Sequence, residues 1–289
     1  MLLSELSRRG TIADVARTVG YTPSAVSQSL AQLEREAGVP LLERDGRRVR
    51  LTPAARGLVA RADRVFAELD AATAELAVAH GAIRGELTIG AFPSAAVSLA
   101  VPAARHLREQ HAELRCAVRE HEPEDGIPLL RSGELDVLVS ESYDTVRPAR
   151  TGGLEQHPLL TEPLLLVLPA DHWAREPVDL STMSDEDWIA GVAGTQFGVV
   201  LEHACRAAGF KPNVLHRADE AAMHRRLAEA GLGVGLLPAL ACSGPERVRF
   251  AKLAAPSPRR HVSALVRRGA AKRPALAAAL DALRRTAVL

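Results

Sequence analysis

Apolar residues near the start of the chain recur at intervals of three and four, the period of a helix with one buried face. Leu3 and Leu6 predict a short helix over 2–8, stopped by Gly10. Thr11 is placed to cap a second helix, whose Ile12, Val15, Ala16 and Val19 share one stripe, and Gly20 ends it. Thr22 and Pro23 open a third, because proline in the first turn gives up only an amide hydrogen that has no helical partner. Its Val26, Leu30, Leu33 and Ala37 form the inner face and leave Ser24, Ser27, Gln28 and Gln32 outside. Gly38-Val39-Pro40 breaks the pattern, and 43–51 reads as a hairpin turning at Gly46.

From Pro53 to about Ala79 the spacing changes. Leu58, Ala62, Val65, Leu69, Ala72 and Leu76 step alternately by four and three, the heptad seam by which two helices pack side by side. This helix follows a unit with no core left to cover, so the seam is expected to meet a second copy of itself.

After Gly85 the period switches repeatedly between two and 3.6. Strands are predicted over 86–92, 114–120 and 135–140, with helices from Pro93 to about Gln110 and over 124–132. Thr161 to Leu168 reads as a long apolar strand able to pass from one unit to another. A second unit follows, with strands near Trp188 and Val214 and over 234–237, and helices over 196–208 and 220–230. A strand over 260–267 and a helix over 274–285 close the chain. Such alternation predicts α/β layering around a mostly parallel sheet.

At 289 residues, 47% hydrophobic and 25% charged, the chain is long enough for two or three globular domains. No apolar run approaches the roughly 18 residues that span a bilayer. The start lacks the basic flank and apolar stretch of a secretory leader, and Cys116, Cys205 and Cys242 are odd in number and scattered. Both observations favour a cytoplasmic protein without membrane partners.

The net charge of +1 conceals an uneven distribution. Residues 1–64 hold eleven arginines against seven carboxylates, an excess of four, so the remainder is slightly acidic. A basic head on a near-neutral chain suits contact with phosphates. The third helix then offers short or planar polar side chains at its N-terminus, able to hydrogen-bond base edges. Together these features predict a winged helix-turn-helix. Thr22, Pro23, Ser24, Ser27, Gln28 and Gln32 belong to the reading helix, and Arg44, Arg47, Arg48 and Arg50 to a wing against phosphates.

Five blocks in order carry a family resemblance: Thr11 to Val19, Tyr21 to Gln28, Leu33-Glu34, Gly38 to Arg44 and Val49 to Ala54. With them the chain resembles the LysR-type transcriptional regulators, in an actinobacterial-like form. It departs from the family pattern at Leu42, where Phe is usual, and at Ala55-Arg56, which displace the usual Gly to Gly57. The resemblance implies a DNA-binding domain over 1–57, a dimerising linker helix over 58–84 and an effector-binding domain over 85–289. That last domain is expected to be two-lobed and similar to type 2 periplasmic binding proteins, with lobe I over 85–160 and 268–289 and lobe II over 161–267. The implied partners are double-stranded DNA, a second copy or a tetramer, a small-molecule effector and RNA polymerase, with no cofactor.

Open α/β sheets bind ligands beyond the carboxyl ends of their strands. By that rule Ser94, Ser140 and Glu141 from lobe I, and Thr195, Gln196 and Phe197 from lobe II, are the expected effector-binding residues. Other motifs lead nowhere sharper. Glu120-His121-Glu122 with Glu124-Asp125 lacks a second His or Cys at ligand spacing and reads as a solvated strand end rather than a metal site. Gly231-Leu232-Gly233-Val234-Gly235 leaves a helix and enters a strand, the reverse of a phosphate loop, so tight packing is expected. Cys205 reads as a buried, inert thiol. No nucleophile–base set is found, so no catalysis is expected. A solute-binding protein would lack the arginine-rich head.

Overall fold

The computed structural model describes residues 2–9, 11–45, 48–62, 65, 83–144, 151–242 and 247–287. The head opens with α1 (Leu2–Arg9), α2 (Ile12–Thr18) and α3 (Pro23–Ala37). Thr11 and Thr22 cap α2 and α3 by accepting from the amides of Asp14 and Ala25, each at 3.2 Å. Gly38 ends α3 at φ 66°, where a side chain would strain the backbone. The wing is β1 (Leu42–Asp45) paired antiparallel with β2 (Arg48–Leu51). Leu3, Leu6, Val15, Val26, Leu30, Leu41 and Leu51 meet in one small core. A helix over 53–62, α4, follows, with Ala55 buried in that core and Val59 packed against it.

Lobe I is built on β3 (Gly85–Ala91), β4 (Leu114–Glu120) and β5 (Val137–Tyr143), with β3 parallel to both neighbours. A helical run leaves β3 as α5 (Pro93–Ala95), continues through a π-helical turn over Ala96–Ala100, and ends as α6 (Val101–Gln110). Next in the chain come α7 (Pro123–Ser132) and the sixteen-residue β6 (Leu154–Pro169). Lobe II carries β7 (Asp187–Ala190), α8 (Gln196–Ala207), β8 (Asn213–Arg217), α9 (Ala221–Glu229), β9 (Val234–Pro238) and β10 (Val248–Lys252). The chain closes with β11 (Arg259–Arg267) and α10 (Pro274–Thr286).

The strand order β4-β3-β5-β11-β6-β9-β7-β8 runs through both lobes. The outer strands are parallel, as expected for crossovers through helices, whereas β11, β6 and β10 add antiparallel pairings. The sheet is therefore mixed rather than mostly parallel. The first part of β6 pairs with β11 and its end pairs with β9 and β10, so this one strand passes from lobe I to lobe II. β11 lies wholly against β5 and β6, and its Val262, Ala264 and Val266 sit in the lobe I core. Lobe I thus resumes at Arg259, nine residues before the expected 268. The early half of β6 and all of β10 escaped prediction, because their polar and charged positions obscure a strand pattern.

Candidate DNA-binding face and ligand cleft

On α3 the capping bond of Thr22 and the turn at Pro23 fix where the helix begins, and they put Ser24, Ser27 and Gln28 on its exposed side. Inward, Val26 and Leu30 are buried, so the helix cannot rotate without exposing them. Gln32 is tied along the helix surface: it donates to Glu36 at 2.8 Å and accepts from Arg35. It is therefore less free to reach outward than its position suggests. Glu34, which sequence reasoning noted only as a motif residue, accepts from the amides of Leu41 and Leu42 at 2.8 and 3.0 Å. That carboxylate holds the wing in place against α3. Arg44 and Arg48 lie on the two wing strands and Arg50 is exposed, while Arg47 falls outside the described residues.

Leu58 and Val65 are 39% and 58% exposed, and Ala62 is half-buried. Large apolar side chains in water at seam positions are the surface a partner helix would cover. Leu69, Ala72 and Leu76 lie outside the described residues.

A cleft of about 590 Å³, counting space open to solvent, lies between the lobes. Its lobe I wall comes from the ends of β3 and β5 and from the starts of α5 and α7, bringing Phe92, Ser94, Glu122, Glu124, Glu141 and Tyr143. Lobe II contributes Thr195, Gln196 and Phe197 from the start of α8, Asp219 after β8, and Ala221 at the start of α9. Five of the six expected ligand residues line it. Ser140 does not: strand residues alternate between faces, and Ser140 is set opposite Ser263 in the β5–β11 pairing, one position before the cleft-lining Glu141.

Arg260, unremarked in the sequence, organises the wall. Its Nε donates to Glu162 Oε1 at 2.8 Å, its Nη1 to Glu141 Oε2 at 2.9 Å and its Nη2 to Ser94 Oγ at 3.1 Å. The guanidinium also lies 4.8 Å from the Phe92 ring centre, a cation–π contact. Burial opposes the Arg260 charge, but Glu141, Tyr143 and Glu162 hold it firmly protonated. Tyr143 donates to Glu141 Oε1 at 3.0 Å, and Glu162 Oε2 accepts from the Leu240 amide at 2.6 Å. The network thus ties β5, β6 and β11 to the end of β9. Period two explains it: Glu141 and Arg260 continue the faces on which Val139 and Val262 are buried, at the strand ends where the apolar core stops.

Thr195 caps α8 by accepting from the Gly198 amide at 2.9 Å and spends its own hydrogen on Val192 O at 2.9 Å. Gln196 reaches across the cleft toward Glu124 at 3.5 Å, and its Oε1 is buried without a partner. Glu122 and Glu124, expected as part of a solvated strand end, instead face the cleft. Burial, then the charges of Glu141, Glu124, Asp219 and Glu120, push the Glu122 carboxyl up to about 7. The glycine run behaves as expected: a Cβ on Gly233 would stand 2.7 Å from Asp187 O, so strand packing requires its absence. Among the described residues no group of three or more His, Cys, Asp or Glu is placed to hold a metal ion, and no helix is long and apolar enough to cross a membrane.

Residues 1–56 match the bacterial regulatory helix-turn-helix proteins of the lysR family, and residues 80–288 match the LysR substrate binding domain. The chain is 30% identical over 267 residues to a probable hydrogen peroxide-inducible genes activator of Streptomyces viridosporus, covering 90% of this chain and 84% of that one. It is 31% identical over 270 residues to the DNA-binding transcriptional dual regulator OxyR of Escherichia coli (strain K12), covering 90% and 85%. Full-length CbnR complexed with its target DNA has the same fold, at TM-score 0.58 and 21% identity over 99% of this chain and 98% of that one.

Proposed function

The chain belongs to the LysR family of DNA-binding transcription regulators, and from that premise we propose that it grips promoter DNA as a dimer or tetramer and answers to a small molecule held between its lobes. The domain limits follow the sequence reading, with the head over 1–57, the linker over 58–84 and the effector region over 85–289. Within the head, Ser24, Ser27 and Gln28 read bases, while the wing arginines contact phosphates. The linker seam joins two heads, so two reading helices meet a two-fold related site.

The observation that carries the effector reading is the cleft itself, whose walls come from both lobes. A ligand there touches groups on elements that can shift relative to one another, which is what differential affinity for two states requires. Its binding redistributes DNA contacts through the linker helices, and RNA polymerase is the further partner such a regulator addresses.

Similarity to hydrogen peroxide-inducible activators raises a second reading, a peroxide-responsive thiol. Burial pushes Cys116 up to about 11, and Cys205 and Cys242 up to about 12. At neutral pH thiols of that kind hold at most about one thiolate in ten thousand, and thiolate is the reactive form. A reversible, non-covalent effector is the better fit.

Footprinting on the DNA upstream of the protein's own gene, over a salt series, tests the DNA reading. A protected site whose affinity falls steeply with salt is expected. No protection, or affinity indifferent to salt, contradicts it.

A further inference from the structure

The charge of the cleft selects among effector classes. Four of its lining side chains are carboxylates, Glu122, Glu124, Glu141 and Asp219, and the one base lining it among the described residues is Arg260. That base is already used. Its Nε, Nη1 and Nη2 all point at Glu162, Glu141 and Ser94, and it is 3% exposed. An incoming carboxylate would have to displace an internal carboxylate from it. Counting only lining groups, four acids against one guanidinium leave three negative charges when all are ionised.

Four helix N-termini, those of α5, α7, α8 and α9, also meet the cleft and work the other way. Each is worth about half a positive charge, so together they supply roughly two against three and do not reverse the sign. Glu122 marks where the excess is felt. Its side chain caps no amide of α7, and every charge that acts strongly on it is negative. Across the cleft, the buried Oε1 of Gln196 is an acceptor without a donor. The remaining wall is apolar or aromatic, with Phe92, Phe197, Leu237 and Pro238.

We propose that the effector is an organic cation, an amine or guanidine on a compact apolar body, whose N–H groups are received by Glu122 and Gln196. The proposal rests on the cleft being the effector site. The apolar body packs between Phe92, whose ring already carries Arg260, and Phe197, whose ring also favours an ammonium. A bare metal ion suits this wall poorly, since its acids do not converge into a ligand cluster. Binding a cation restores Glu122 to its ionised form and so releases a proton below about pH 7.

The test uses the full chain and matched probes. Benzylamine, phenethylamine, putrescine and agmatine are titrated by ligand-observed NMR and calorimetry, each aromatic amine beside its acid, benzoate or phenylacetate. At least one amine is expected to bind about tenfold more tightly than the acids, and Glu122→Gln to weaken it about tenfold. Ala221→Trp, which fills the cleft, should abolish it. If an acid binds as well as any amine and Ala221→Trp blocks it, the cleft reading stands and the cation inference falls. Amine binding indifferent to both substitutions places it elsewhere and overturns both. No binding by any amine at millimolar concentration also overturns the inference. Thermal stability in Glu122→Gln no lower than that of wild type guards against a folding artefact.

Discussion

The Arg260 guanidinium lies 2.9 Å from the Glu141 carboxylate, with side-chain exposures of 3% and 7%. Two charges this far from water cost several kcal/mol each to desolvate, and only their pairing and hydrogen bonds offset that cost. Glu162, fully buried, shares the same guanidinium at 2.7 Å.

Removing the cation alone is therefore expected to be severe. Arg260→Met strands two buried carboxylates and should lower stability by about 3–5 kcal/mol in urea unfolding. Neutralising the partners in the same chain, with Glu141→Gln and Glu162→Gln, should recover much of that loss. A single substitution costing less than about 1 kcal/mol would show that the network is not what holds the strands together.

The reading helix and the wing should fail differently. Ser27→Ala or Gln28→Ala is expected to cost about 1–3 kcal/mol on the operator and little on unrelated DNA. Arg50→Ala should weaken both alike and reduce the salt slope by about one. Equal losses on both DNAs for Gln28→Ala would show that it does not read bases.

Self-association should be sensitive to the exposed seam. Leu58→Asp and Val65→Asp place a charge where the partner helix is expected, and sedimentation should show a shift toward smaller species at micromolar concentration. An unchanged distribution in the double variant contradicts the seam.

Stability should depend on pH through Glu122. Its carboxyl binds a proton more tightly in the folded chain, at about 7, than at its ordinary 4.5. The stability tied to that proton is fully present below about pH 4.5 and is lost as pH rises through 7. Wild type should thus lose stability relative to Glu122→Gln between those values when no ligand is added. Parallel curves for the two proteins would refute the shift.

Alkylation checks the thiol argument. Cys205 is fully buried and pushed up to about 12, so iodoacetamide at neutral pH should leave it unmodified in the native chain. Rapid labelling would reopen the redox reading.

Much of the head was legible in the sequence because its signals are local. Thr11, Thr22, Pro23, Gly20 and Gly38 act within a few residues of themselves, so caps and stops appear where their chemistry puts them. The cleft was half legible. Ser94, Glu141, Thr195, Gln196 and Phe197 follow from the rule that ligands meet strand ends and helix starts. Arg260 did not, since its partners Glu141 and Glu162 lie 119 and 98 residues away. Glu122 and Glu124 were read as solvated because a run of acids ordinarily is. Only the packing of α7 onto β5, which turns its start toward the cleft, makes them walls.

The path of β6 and β11 makes lobe II an insertion within lobe I. The chain enters it at Leu164 and leaves it at Pro258, and at that doorway the Leu164 amide donates to Pro258 O at 3.1 Å. Entry and exit are neighbours, so ninety-odd residues hang from two adjoining backbone strands, the arrangement in which one domain tolerates another spliced into it. A lobe II taken from a relative could be grafted at those two points without disturbing the pairing of β5, β11 and the first half of β6. One wall of the cleft, with Thr195, Gln196, Phe197 and Asp219, is then separable, by cutting at a single place in space, from the half of the domain that keeps Glu122 and stays with the DNA-binding head.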